Sequence, residues 1–140
     1  MKYGRTVEIQ VPYAQAVPRV KQVFKEHGFG TLTEIDVKKT LKEKLGVDTE
    51  EYLILGVCNP RLAHQALQIE RDLGLLLPCN VVVRENRGST IVQALDPQVM
   101  VKVPEKPELE SVADQAGRAI DAALEQLATE AGAVRPSSLR

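Results

Sequence analysis

From Gly4 to Val11 apolar and polar positions alternate. Val7, Ile9 and Val11 fall on one side and Glu8 and Gln10 on the other, the period of a half-buried strand. Pro12 ends this stretch. The period then changes: Val17, Val20, Phe24 and His27 recur at helical spacing, with Arg19, Lys21, Gln22, Lys25 and Glu26 on the other faces. Gly28 suits the C′ position that closes such a helix. Pro18 fits only if the regular helix begins near it or if the first turn is irregular, because proline has no N–H for an interior helical bond.

Gly30 to Ile35 reads as a second strand, after which Asp36 is placed to cap a short helix with Val37, Leu41 and Leu45 on one face and Gly46 as its stop. Tyr52 to Cys58 is rich in strand formers. Asn59-Pro60 then starts a helix, since Asn caps well and Pro is pre-organised for the first helical position. Leu62, Ala66, Ile69 and Leu73 form its apolar face. After the apolar Leu75-Leu76-Leu77 and the rigid Pro78, Asn80–Glu85 and Thr90–Leu95 are strands joined around Asn86-Arg87-Gly88-Ser89, a hairpin signal. Val81-Val82-Val83 is apolar on both faces, which places its strand centrally in a sheet. A proline-punctuated link, Val103 to Pro107, leads to the longest helix, where Leu109, Val112, Ala116, Ile120, Ala123, Leu124 and Leu127 hold helical spacing. Gly132 to Arg140 reads as a frayed tail.

The expected fold class is therefore α+β: one domain over residues 1–130, a single antiparallel sheet of about five strands with helices on one face, and a flexible tail over 131–140. A sheet covered on one side leaves another to bury, which leads us to expect a homodimer closing the second face or an edge.

At 140 residues the chain can build its own core without disulfides or a structural metal. Lys plus Arg total 18 and Asp plus Glu 19, a balance that argues against a nucleic-acid partner. Trp is absent and there are three Tyr and two Phe, too few for a base-stacking platform. The start, MKYGRTVEIQ, has no apolar signal-peptide region, and no apolar run spans a bilayer. These features set the expectation of a cytoplasmic protein with reduced thiols, without nucleic-acid or membrane partners.

Three phrases carry a resemblance: Gly28-Phe29-Gly30-Thr31-Leu32-Thr33-Glu34-Ile35-Asp36-Val37, Leu55-Gly56-Val57-Cys58-Asn59-Pro60, and Gly74 to Val83 with its Leu-Leu-Leu-Pro-Cys-Asn core. Thr40 to Gly46 and Leu62-Ala63-His64 fit as well. Over roughly residues 1–128 the chain resembles the bacterial and archaeal family called domain of unknown function 302. The resemblance implies a TATA-binding-protein-like β-α-β4-α architecture and a homodimer. It implies no DNA binding, because fold does not fix function, and it brings no catalytic residues.

Cys58 and Cys79 are the foremost candidates for chemistry. Cys58 immediately precedes a helix N-cap, where the helix dipole favours a thiolate, and Cys79 follows Pro78 at a strand entrance. If their strands are neighbours, the thiols approach each other and suit a soft metal such as zinc, copper(I) or cadmium, or a dithiol–disulfide cycle. The ordinary alternative is that both are small buried hydrophobes. Their separation of 21 positions matches neither a zinc-ribbon nor a Cys-x-x-Cys pattern.

Glu34 and Asp36, two apart on a strand, share a face and could bind a metal or divide acid and base roles, although helix capping accounts for Asp36. His64 lies six residues after Cys58 but on the polar side of its helix. His27 closes the first helix in a structural position. Asn59 and Asn80 each follow a cysteine and could flank one cleft. No Ser-His-Asp set, phosphate loop or dinucleotide fingerprint can be assigned. Three functions follow as expectations: a binding module for a soft metal ion or small ligand near the two cysteines, a thiol enzyme or sulfur-handling protein with Cys58 as nucleophile, and an interaction homodimer without a ligand.

Overall fold

The structure, a computed structural model, describes residues 2–130, so the tail expected over 131–140 lies outside the described residues. Five strands form one antiparallel sheet: β1 (Gly4–Ile9), β2 (Gly30–Asp36), β3 (Tyr52–Cys58), β4 (Cys79–Asn86) and β5 (Ser89–Leu95), in the spatial order β1-β5-β4-β3-β2. The strand with apolar residues on both faces, β4, is the central one. The β4–β5 hairpin turns at Arg87 and Gly88, both at positive φ (49° and 90°), the mirror-image turn that matches strand twist.

The register aligns the buried residues into rows. Val7, Val92, Val83 and Leu53 stand side by side across four strands, and Ala94, Val81 and Leu55 form the next row. Over this face pack α1 (Tyr13–Glu26), through Ala16, Val20, Val23 and Phe24, and α5 (Glu110–Glu130), through Val112, Ala116, Ile120, Leu124 and Leu127. Each large apolar side chain so buried stabilises the fold by roughly 1.5–3 kcal/mol. The third core helix, α3 (Pro60–Ile69), lies against α5 and starts as expected, with Asn59 accepting from the Leu62 N–H at 3.2 Å and Pro60 in the first turn.

Without α2 (Val37–Leu45) and α3, which sit between strands, and a one-turn helix at Val99–Lys102, the order is β-α-β4-α. Asp36 caps α2 by accepting from the Lys39 N–H at 2.9 Å, and Gly46 ends it at φ 70°.

Several expectations are corrected. Helix α1 begins at Tyr13, so Pro18 lies inside it as its sixth residue and removes the bond to the Ala14 carbonyl. The helix tolerates this because its start is already anchored, Ala16 N–H to Pro12 O at 2.9 Å, and because Ala16, Val20 and Val23 are fully buried beneath it. Ile69 does not share the buried face of Leu62 and Ala66; it is the last residue of α3, from which the chain turns away into a 3₁₀ segment, Arg71–Leu76. A further short helix, α4 (Val99–Lys102), and a 3₁₀ turn, Pro107–Leu109, occupy a stretch without a helical period. In α2 the apolar stripe exists but no residue is buried, and Leu45 is 69% exposed.

The opposite sheet face carries no part of this core. Ile35, Ile54 and Val82 form a row with Gln93 and Thr6, beside Ile91 and Arg84, and none of them is buried.

Candidate functional site

Strands β3 and β4 are neighbours, so Cys58, the last residue of one, and Cys79, the first of the other, come to the same end of the sheet. Both are free thiols and both line one small cavity of about 30 Å³. The walls are apolar: Phe29 and Val57 from the sheet side, Leu62, Ala63 and Ala66 from α3, and Val112 and Ala116 from α5. Alanines on both helices leave the space, since longer side chains there would fill it. Leu77 and Pro78, joined by a cis peptide bond, form the wall next to Cys79.

Cys79 is buried at 7% exposure and Cys58 is half-buried. Burial pushes the Cys58 thiol up from the ordinary 9.0, opposing the pull toward thiolate expected from the helix start beside it. Burial pushes Cys79 further, to about 11, and a charge on Cys58 adds to the rise. Both thiols are therefore protonated at neutral pH. Among the described residues the walls hold no cation to draw out a thiolate, and Asn59 is the one polar side chain there.

Of the other candidates, Asn59 alone reaches the cavity. Its Oδ1 caps α3, and its Nδ2 lies 2.9 Å from where a Cβ on Gly28 (φ 90°) would stand, so the end of α1 closes against the start of α3 only with glycine there. Asn80 is exposed and pairs with Gly56 on the other sheet face. Glu34 and Asp36 share the helix-bearing side as expected, but Glu34 pairs with Lys21 of α1 at 2.8 Å and Asp36 is occupied as a cap, and neither lines the cavity. His64 is exposed on α3. His27 has the structural place expected of it, with Nε2 2.7 Å from Gln126 Oε1 of α5. Among the described residues no group of three or more His, Cys, Asp or Glu is arranged to hold a metal ion.

Two features escaped sequence reasoning. Met100, on α4 and 4% exposed, lines the same cavity as the two thiols. Its segment has no periodicity, so the only available signal was the sulfur itself. Arg5 joins β1 to α5, donating from Nη1 to the Gly117 carbonyl at 3.0 Å and to the Asp121 carboxylate, and from Nη2 to Asp96 at 3.2 Å. A lone arginine on a strand does not announce such a hub.

Fold and site together define an α+β protein with helices on one face of a five-stranded antiparallel sheet and a pair of cysteines at the sheet's end. The chain belongs to the family "Domain of unknown function DUF302", whose pattern matches residues 5–127. It is similar to the crystal structure of the uncharacterized conserved protein DUF302 from Bacillus stearothermophilus, with 29% identity, a TM-score of 0.83, and coverage of 91% of this chain and 99% of that one. No curated protein matches the chain. Among the described residues no helix is long and apolar enough to cross a membrane.

Proposed function

We propose that the protein is a binding module that holds a soft metal ion at Cys58 and Cys79. The observation that carries this reading is that both thiols line one cavity. Its volume, about 30 Å³, is room for about one or two water-sized bodies and favours an ion over an organic ligand. Among the described residues the walls offer an organic ligand one polar group, Asn59, whose Oδ1 is already engaged as a cap. A nucleophilic role for Cys58 is less well supported, because a thiol raised by burial has little thiolate at neutral pH.

The test is metal content and free-thiol count on protein purified without oxygen, beside a Cys58→Ser, Cys79→Ser variant. Near-stoichiometric soft metal in the wild type, lost in the variant, is the expected result. Two unligated thiols, with no uptake of added Cu(I), Zn(II) or Cd(II), would overturn the reading.

A second reading concerns assembly. We infer that the uncovered sheet face meets its own copy across a two-fold axis. Ile35 is 50% exposed there, and Ile54, Val82 and Ile91 share the face without touching the core. The face carries one charge of each sign, Glu8 and Arg84, flanking Ile91, so a rotated copy meets it without net repulsion. Light scattering at micromolar concentration should give twice the chain mass, and Val82→Glu should halve it. A monomeric wild type removes this reading.

A further inference from the structure

We propose that Met100 supplies a third sulfur to the site and that the ion it holds is monovalent copper. This rests on the preceding reading of Cys58 and Cys79 as ligands and deepens it.

The donor set selects the ion. Among the described residues the cavity is lined by two thiols and one thioether, with no imidazole and no carboxylate. Sulfur ligands of both kinds suit copper(I). Zinc in proteins takes four ligands drawn from thiolate, imidazole and carboxylate, and a thioether is not among them. Cys58, Cys79 and Met100 leave zinc short by two ligands, whereas copper(I) is satisfied by two or three. Met100 also belongs to the buried core, so its sulfur reaches the cavity from a packed position. It sits in α4, a four-residue helix that packs against α5 and whose Val101 also touches the core, and it lines the cavity with a flexible, polarizable side chain.

Charge balance agrees. Copper arrives as Cu(I), so no electron is transferred. Each thiol loses its proton to solvent as its Cu–S bond forms, and Met100 binds through a lone pair without losing anything. The site passes from neutral to a single negative charge. That charge lies beside the first turn of the ten-residue helix α3, whose N-terminal N–H groups favour an anion. Copper(II) would need a reductant that the site does not provide, so the ion must be delivered already reduced, from a donor with comparable sulfur ligands.

The chain has two methionines, Met1 and Met100, which makes the contact directly observable. Protein with selenomethionine, loaded anaerobically with Cu(I), should show a Cu–Se contact in copper-edge X-ray absorption. Met100→Leu should abolish the contact, leave two Cu–S contacts, and weaken Cu(I) binding against a competing chelator by about 10–100-fold. Leucine conserves the side-chain volume, so the variant should keep the wild-type circular dichroism. Excess Zn(II) should not displace the copper. Copper bound with no Cu–Se contact and an unchanged Met100→Leu affinity would overturn the role of Met100. Ready displacement by Zn(II) would overturn the choice of ion. Both results leave the two-thiol site standing. Failure to bind any soft metal would remove that site itself.

Discussion

Cys79 stands opposite Val57 in the β3–β4 ladder, one position out of register with Cys58. Cys79 therefore points with Val57 toward the helices, and Cys58, ending its strand as the chain turns into α3, sits half-exposed at the cavity's edge. The two thiols share a cavity from different depths, and their protons respond differently to solvent.

The deeper thiol gives the protein an alkaline limit. Cys79 is raised from 9.0 to about 11, so below pH 9 both native and unfolded chains hold its proton and its contribution is fully present. Between 9 and 11 the unfolded chain releases the proton while the native chain keeps it, so stability falls as pH rises. The loss across this window is about 2–3 kcal/mol. Urea midpoints should fall over that range, and less steeply in Cys79→Ala. Parallel curves for the two proteins would show that Cys79 is not desolvated.

Raised thiols also set the pH dependence of metal binding. Burial raises both, so near neutral pH the free protein holds both protons, and binding one Cu(I) through two thiolates releases two protons. The apparent Kd should then tighten about 100-fold for each pH unit gained near neutrality. Competition titrations at several pH values read this slope directly. A slope corresponding to a single proton would mean that only one cysteine binds as thiolate.

Much of this was legible in the sequence. Alternation around Val7 and Ile9, the triple valine of β4, the Asn86–Ser89 turn and the caps at Asp36 and Asn59 are local signals, and each holds in the structure. The site was half legible. Thiols at two element boundaries could be read, but their meeting depends on β3 pairing with β4, a non-local fact. Met100 reaches the cavity through tertiary packing of a four-residue helix that has no period to read. The helix start beside Cys58 can be placed from sequence, while desolvation of its thiol by distant walls cannot. Pro18 misled in the other direction, since burial of Ala16 and Val20 outweighs one missing hydrogen bond.

Gly56 is expected to be intolerant of any side chain. A Cβ there would lie 2.2 Å from Thr33 Oγ1 and 2.8 Å from Pro78 Cγ. Thr33 can rotate, but the proline ring cannot retreat without moving Leu77 and Cys79 with it. Gly56→Ala should cost about 1–3 kcal/mol, the range for overpacking. It should also disturb the thiols, measurable as a changed alkylation rate of Cys79 in a Cys58→Ser background. An unchanged denaturation midpoint would show that the Pro78 contact gives way freely.

Arg5 should behave as a fork and not as a charge. Its guanidinium serves the Gly117 carbonyl, Asp96 and Asp121 at once, and a Cβ on Gly117 would stand 3.3 Å from it. Arg5→Met keeps the apolar stem and strips the donors, leaving three acceptors to water or to nothing. We expect a loss of about 1.5–3 kcal/mol. Arg5→Lys should restore only part of it, because an ammonium cannot present the same planar donor set. Full recovery with lysine would reduce the hub to simple charge pairing.

The side-chain caps of α2 and α3 should separate local from global stability. Asp36 and Asn59 each accept a hydrogen bond from a backbone N–H three residues ahead, and removal of such a cap costs about 0.5–2 kcal/mol of helix stability. Their helices differ in what they bury. α3 places Leu62 and Ala66 in the core and walls the thiol cavity, so its folding is tied to that of the whole domain. α2 buries nothing. Asn59→Ala should therefore lower the global denaturation midpoint. Asp36→Ala should leave the midpoint nearly unchanged while hydrogen exchange accelerates within Val37–Leu45 alone. If Asp36→Ala instead lowers the midpoint as much as Asn59→Ala does, the packing of α2 on β2 and β3 must be coupled to the whole domain.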